Sequence, residues 1–126
     1  MDLLIGTAQG IFRADAHGHT KAGTGVESRS VRHLSRVNGD VLAGTSDGVF
    51  RSADGGATWT PSGLPGSFVW DIAPAPDDAH TLYAVTEPAA LHRSRDGGRS
   101  WEEMASFRKA PAAEIATKIR LGLLGS

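Results

Sequence analysis

The chain has 126 residues, and its 13 basic and 14 acidic side chains give a net charge of −1 at pH 7. This balance excludes the clustered basic surface that a nucleic-acid partner or an anionic membrane surface needs, so we expect neither. The absence of cysteine excludes disulfides and thiolate metal sites. No apolar run approaches the roughly 20 residues of a membrane-spanning helix and no secretory leader is evident, so we expect a cytoplasmic protein.

Short apolar runs separated by Gly, Asp, Asn and Pro predict β-strands along most of the chain. The predicted strands cover residues 3–7, 30–36, 40–45, 49–52, 58–60, 68–73, 81–86, 91–94 and 100–104. Near the end, Ile115, Ile119 and Leu123 recur at i, i+4 and i+8 after Pro111. This spacing predicts a short helix within the tail, residues 107–126.

Two internal repeats set the predicted architecture. The segment GTAQGIFR at 6–13 recurs as GTSDGVFR at 44–51, and SADGGATW at 52–59 recurs as SRDGGRSW at 94–101. Spacings of 38 and 42 residues are close to the period of about 40 to 45 residues of four-stranded propeller blades. The chain is therefore predicted to be all-β, with about three four-stranded antiparallel blades of a partial β-propeller.

The predicted blades occupy residues 1–106, with copies at about 1–25, 26–63 and 64–106. The first copy begins at what is the second strand of the others, residues 3–7. It also carries a decayed version of the second repeat at 13–20, which keeps Asp15, Gly18 and Thr20 but has no Trp.

The second repeat resembles the Asp-box, or BNR repeat, of sialidase-type, sortilin-type and photosystem-assembly β-propellers. The first full match consists of Ser52, Asp54, Gly56, Thr58 and Trp59. The second consists of Ser94, Asp96, Gly98, Ser100 and Trp101, with Ser100 at the usual Thr position. The resemblance covers about residues 1 to 106 and implies that the turn joins the third and fourth strands of each blade, away from the active face.

The residue types of this repeat are those that close a tight turn. Asp accepts hydrogen bonds from backbone N–H groups one or two residues on, Gly adopts positive φ, and Trp buries a large apolar area. A calcium site or a catalytic carboxylate would need several convergent oxygens or a second carboxylate. We therefore interpret these residues as structural.

Three copies cannot close the usual ring of four to eight blades. Three explanations remain: a segment of a longer propeller, a protomer that completes a ring with identical partners, or an open stack with exposed sheet edges.

The sequence carries no recognisable catalytic set. A sialidase-type site needs a Tyr nucleophile with a Glu, and Tyr83 lies in a pattern typical of an interior strand. The pattern Asp15-x-His17-x-His19 has no further ligand at a convincing spacing, so neither a metal nor another cofactor is expected. We interpret the chain as a non-catalytic binding or assembly module for a protein or glycan ligand. The alternative is a sialidase-like glycoside hydrolase whose active site is completed by other blades or by a second protomer.

Propeller geometry indicates where a ligand would bind. The loops between the second and third strands lie beside the start of each first strand, at the end opposite the Asp-box turns. By this analogy the candidate ligand-facing residues are Arg32, Asp47, Trp70 and Asp71.

Overall fold

The computed structural model describes residues 3–27, 29–76, 78–87 and 90–104. These residues form eleven strands and no helix. The strands are β1 (Leu3–Thr7), β2 (Gly10–Ala14), β3 (Thr20–Ala22), β4 (Val31–Val37), β5 (Asp40–Thr45), β6 (Gly48–Ser52), β7 (Thr60–Pro61), β8 (Phe68–Ala75), β9 (Asp78–Glu87), β10 (Ala90–Ser94) and β11 (Glu102–Met104). The all-β prediction is confirmed, whereas the predicted helix in 107–126 lies outside the described residues.

The strands form three antiparallel meanders in chain order. Sheet 1 contains β1–β3, sheet 2 contains β4–β7 and sheet 3 contains β8–β11. By the 38-residue repeat β1 corresponds to β5, so sheet 1 starts at a second strand, as the sequence predicts. In each sheet, strands that are consecutive in sequence also lie side by side, as expected when tight turns join them.

The last strand of sheets 2 and 3 begins later than predicted, at Thr60 and Glu102 instead of residues 58 and 100. In sheet 2 the backbone N–H of Trp59 donates instead to the carbonyl of Thr24, in the segment that joins sheet 1 to sheet 2. The residues before the strand are therefore used for contacts between sheets and not for the sheet's own ladder.

The apolar core lies between successive sheets. Ile11, Val41, Ala43 and Phe50 belong to a cluster between sheets 1 and 2. A second cluster, between sheets 2 and 3, contains Leu42, Val49, Val69, Ile72, Leu82 and Ala84. Side chains alternate along β5, so Val41 and Ala43 face sheet 1 while Leu42 faces sheet 3.

A glycine in the second strand lets neighbouring sheets approach closely. A Cβ built on Gly44 would lie 2.9 Å from Val69 Cγ1, and one on Gly6 would lie 2.8 Å from Val31 Cγ1. Any side chain at these two equivalent positions would push the next sheet away. This contact explains why a glycine stands at this position in both copies.

Candidate functional site

A β-bulge interrupts the first strand of both complete sheets at the same repeat position. The pairing of β4 with β5 shifts register between Val31 and His33, so that Arg32 is the extra residue. The pairing of β8 with β9 shifts between Val69 and Asp71, so that Trp70 is the extra residue. Bulges redirect side chains out of the regular alternation. Both extra residues are exposed, while Val31 and Val69 before them are buried.

The two bulged side chains come together with a third. The guanidinium carbon of Arg32 lies 5.2 Å from the centre of the Phe68 ring and 5.5 Å from the centre of the Trp70 ring. The two aromatic rings are 5.5 Å apart and tilted by 42°, a geometry typical of favourable aromatic pairs. Trp70 keeps 45% of its surface exposed. We call Arg32, Phe68 and Trp70 the platform.

The platform lies at the end of the sheets where β4 and β8 begin. Val31 pairs with Thr45 at the end of β5, and the N–H of Ser46 donates to the carbonyl of Ser30. The turn between β5 and β6 is therefore at the same end, as the sequence analysis placed it.

Asp71 lies beneath the platform, not at its surface. It is 6% exposed, and its Oδ1 is 3.3 Å from His33 Nδ1 on β4. The pair therefore connects the first strands of sheets 2 and 3 and orients the imidazole ring. This position suits a residue that fixes two sheets relative to each other better than one that contacts a ligand.

Asp47 is also used within the protein. Its Oδ1 accepts a hydrogen bond from the N–H of Gly66 at 2.9 Å, and its Oδ2 lies 3.5 Å from Arg29 Nε. These contacts tie the β5–β6 turn to the segment that joins sheet 2 to sheet 3. Of the four ligand-facing candidates, Arg32 and Trp70 lie together, Asp71 is buried, and Asp47 is exposed while it contacts Gly66 and Arg29.

Phe68 is not among the site residues predicted from the sequence. It stands two positions before Trp70 in an alternating strand pattern, and this spacing was the available signal that both rings would lie near each other. Its contact with Arg32 had no such signal, because Arg32 belongs to a different sheet.

The two full repeats of the second motif form nearly identical turns. Asp54 Oδ1 accepts hydrogen bonds from the Thr58 N–H at 2.9 Å and from the Ser52 hydroxyl at 2.8 Å. Asp96 Oδ1 does the same with the N–H of Ser100 at 2.9 Å and the hydroxyl of Ser94 at 2.7 Å. Their carboxylates are thus satisfied within the turn.

These hydrogen bonds lower the pKa of both carboxyls. The Thr58 hydroxyl is the largest cause for Asp54, followed by the Thr58 N–H, and together they hold its pKa far below the usual range. The hydroxyl and N–H of Ser100 lower the pKa of Asp96 in the same way. Because hydrogen bonds to the ionised form favour it, both groups are poor candidates for a catalytic acid at neutral pH.

Both tryptophans of the motif pack on the preceding sheet. Trp59 is 4% exposed, and its backbone N–H donates to the carbonyl of Thr24 in the linker that follows sheet 1. A Cβ built on Gly25 in this linker would overlap the Trp59 carbonyl. The indole N–H of Trp101 donates to the carbonyl of Ser62 at 3.0 Å, and the Ser62 hydroxyl donates to the carbonyl of Gly98 at 2.7 Å. The turns therefore hold successive sheets together.

The repeated arginine before each turn has different partners in different sheets. Arg51 pairs with Asp40 at 2.7 Å and also donates to the carbonyl of Gly97 in sheet 3. Arg93 pairs with Glu102 of its own sheet at 2.7 Å. Arg51 thus supports the contact between sheets 2 and 3.

The Tyr considered as a nucleophile lies inside its sheet. Tyr83 is only 2% exposed. The part of the chain that the structure describes contains no group of three His, Asp or Glu side chains that could hold a metal ion. It also contains no helix long and apolar enough to cross a membrane.

No family model and no curated protein matches the chain. Among solved structures, an ancestral GH74 enzyme matches with a TM-score of 0.68 and 15% identity, over 82% of this chain and 16% of the enzyme. The GH74 enzyme of Niastella koreensis matches with a TM-score of 0.54 and 19% identity, over 81% of this chain and 20% of the enzyme. Both are β-propeller proteins. The three sheets are propeller blades.

A structure of YCF48 bound to a D1 peptide matches with a TM-score of 0.37 and 16% identity, over 81% of this chain and 49% of that protein. The chain thus spans about a fifth or less of the GH74 enzymes that it matches. The similarity to the two GH74 enzymes shows the propeller fold and assigns no activity to the blades.

Proposed function

We propose that the chain is a non-catalytic propeller module that binds a protein or glycan ligand at the platform. The observation that carries this proposal is the exposure of Trp70, which is fixed at a bulge and stacked with Arg32 and Phe68. Trp and Arg are enriched among the residues that dominate binding energy at interfaces. A stacked ring costs little conformational entropy on binding because it is already held in place.

The Asp-box assignment is part of the same proposal. Its support is that both full repeats use the same Ser, Asp and Thr or Ser contacts in a turn between the third and fourth strands of a blade. Because these turns are at the end of the sheets away from the platform, the proposed ligand surface and the turns have separate roles.

The alternative, a glycoside hydrolase completed by other blades or a second protomer, has less support. The candidate nucleophile Tyr83 is buried, and the candidate carboxylate Asp71 is buried and paired with His33. Neither side chain is exposed enough to contact a substrate.

The binding test compares Trp70 with an exposed residue outside the platform. Glycan arrays and a displayed peptide library would be probed with the purified chain, with Trp70→Ala and with Arg36→Ala. Arg36 is exposed at the other end of β4. Trp70→Ala should weaken binding of any selected ligand about tenfold or more while Arg36→Ala leaves it unchanged. Equal binding by all three proteins would contradict the proposal.

The catalytic alternative has its own assay. Turnover of fluorogenic sialosides and glycosides would be measured for the purified chain, for Tyr83→Phe and for Asp71→Asn. We expect no turnover. Reproducible turnover that falls in either variant would contradict the non-catalytic proposal and support the glycoside hydrolase.

We also propose that the outer face of the first blade packs on a further blade, either of a second copy or of a longer chain. Leu3 and Ile5 are 63% and 39% exposed on this face, whereas their repeat equivalents Val41 and Ala43 are 5% and 0% exposed. In the second blade the first blade provides the cover. Light scattering should give a mass above that of one chain, and Ile5→Lys should reduce this mass. A monomer at all concentrations would mean that only a longer chain could supply the further blade.

A further inference from the structure

Arg32 differs from the described arginines that pair with carboxylates. Arg29, Arg51, Arg93 and Arg95 each lie within 3.5 Å of an Asp or Glu oxygen. Within the described ranges, Arg32 forms no ion pair with a carboxylate, and its guanidinium lies beside the rings of Phe68 and Trp70 instead. A cation held in one orientation by two rings is prepared to bind a further group.

Arg32 is exposed, and its guanidinium carbon lies within 5.5 Å of both ring centres. The N–H groups of a guanidinium lie in its plane as a fixed fork of donors. Those N–H groups match the two oxygens of a carboxylate, and such charge-assisted pairs are stronger than neutral hydrogen bonds. The exposed Trp70 ring beside them offers an apolar contact of large area.

The acidic residues near the platform restrict where an anionic ligand can approach. Asp71 is buried and paired with His33, and Asp47 lies beside Arg29. Glu87 is exposed and pairs with Phe68 across β8 and β9. A ligand carboxylate would therefore be repelled on the β9 side of Phe68 and attracted on the Arg32 side.

The sheet edges favour a peptide over a sugar. β4 and β8 are edge strands, and within the described chain each pairs with a neighbouring strand on one side only. An extended peptide supplies the N–H and C=O groups that such an edge can pair with, and its side chains alternate toward pockets on the surface. A glycan supplies no regular backbone ladder.

We propose that the platform binds an extended peptide in which an acidic side chain or a terminal carboxylate lies beside an apolar residue. Arg32 binds the carboxylate, and the apolar residue packs on Trp70. This inference rests on the proposed binding function and specifies its ligand.

The test starts from a random peptide library displayed on phage and selected on the purified chain. Each selected peptide is then synthesised with its acidic residue as Glu or as Gln, and with a free or amidated C-terminus. Affinities are measured by fluorescence polarisation for the natural chain, Arg32→Gln and Arg36→Gln. Arg36 is the matched control, because it is an exposed arginine at the other end of β4.

We expect selected peptides to combine an acidic residue with an aromatic or aliphatic neighbour. Neutralising that carboxylate, or changing Arg32 to Gln, should each weaken binding about tenfold. The two changes together should cost little more than either alone, because both remove the same contact. Arg36→Gln should leave the affinity unchanged, and Glu87→Gln should increase it slightly.

Each other outcome overturns the inference in a distinguishable way. Selection of neutral peptides whose binding depends on Trp70 but not on Arg32 would support the binding function and contradict the requirement for a carboxylate. A parallel array of neutral and uronic-acid oligosaccharides that showed Trp70-dependent binding, with no peptide selected, would replace the peptide by a glycan. Binding of neither class at the platform would end the proposed function as well.

Discussion

The decayed turn of the first blade and the full turn of the second differ in one group of contacts. Asp15 Oδ1 accepts the N–H of His19 at 3.0 Å, as Asp54 Oδ1 accepts the N–H of Thr58 at 2.9 Å. His19 Nδ1 lies 3.2 Å from Asp15 Oδ2, in the place of the Thr58 hydroxyl. In both turns, therefore, the Asp carboxylate contacts the residue four positions later in the chain.

The Ser and the Trp are present only in the full turn. The Ser52 hydroxyl contacts Asp54 and accepts the N–H of Gly56, and Trp59 packs on the linker that follows the first blade. Gly56 has a φ of 99°, and a Cβ there would overlap Leu4 of the first blade. The Asp closes the turn in both blades, and Ser52 adds a second set of local hydrogen bonds in the full turn. Gly56 and Trp59 instead serve the contact between blades.

The largest expected effect is at Trp59. Trp59→Ala removes a buried indole between two blades and should lower the free energy of unfolding by about 3 to 5 kcal/mol. Trp101→Ala should have an effect toward the lower end of this range, because Trp101 is only half-buried. Urea unfolding measures both. Trp70→Ala is the control, since this Trp is exposed, and an equal loss there would contradict the assignment of Trp59 to the core.

Ser52→Ala tests the buried hydroxyl of the full turn. Ser52 is 1% exposed and accepts the N–H of Gly56 at 2.8 Å. Its removal leaves that N–H unpaired and should cost about 1 to 3 kcal/mol in the same titration. Ser94→Ala, the equivalent change in the third blade, should give a similar loss. Two values near zero would show that water replaces the hydroxyl.

The lowered pKa of Asp54 and Asp96 predicts a pH dependence of stability. A carboxyl whose pKa is lower in the folded state stabilises the fold above its unfolded pKa of about 3.9, and this contribution is lost as pH falls through the folded pKa. The urea midpoint should therefore decrease as the pH is lowered from about 4 to 2. The double variant Asp54→Asn, Asp96→Asn should show a flatter decrease, and an unchanged slope would contradict the role of these carboxyls.

The smallest effect is expected at the decayed turn. Asp15→Ala removes hydrogen bonds that the carboxylate accepts at exposed positions within its own hairpin. The urea midpoint should therefore change less than for Asp54→Ala. Hydrogen bonds at exposed positions exchange readily with water. Equal losses in the two variants would mean that the first turn also supports a contact between blades.

Much of the fold could be predicted from the sequence because its signals are local. The bounds of β1 and β5 match the predicted strands 3–7 and 40–45, and the two turns occur where Asp-Gly-Gly stands between apolar runs. The start of β7 could not be predicted, because Trp59 pairs with a linker that is distant in sequence.

The candidate site was predicted only in part. Exposed polar and aromatic residues at the start of first strands pointed to Arg32 and Trp70. Whether Asp71 faced a ligand or a histidine depended on the bulge in β8, which changes the direction of every side chain near it. Asp47 likewise contacts Gly66, which is 19 residues away in sequence.

The sequence by itself determined the strands, the turns and the repeat, because period-two alternation and the conformations of Asp and Gly act over a few residues. Tertiary structure decided which residues meet across blades: Arg32 with Phe68 and Trp70, His33 with Asp71, and Trp59 with the preceding linker. Such contacts depend on the distance and angle between sheets. A short segment of sequence does not encode them, because each blade supplies only half of the surface that they bury.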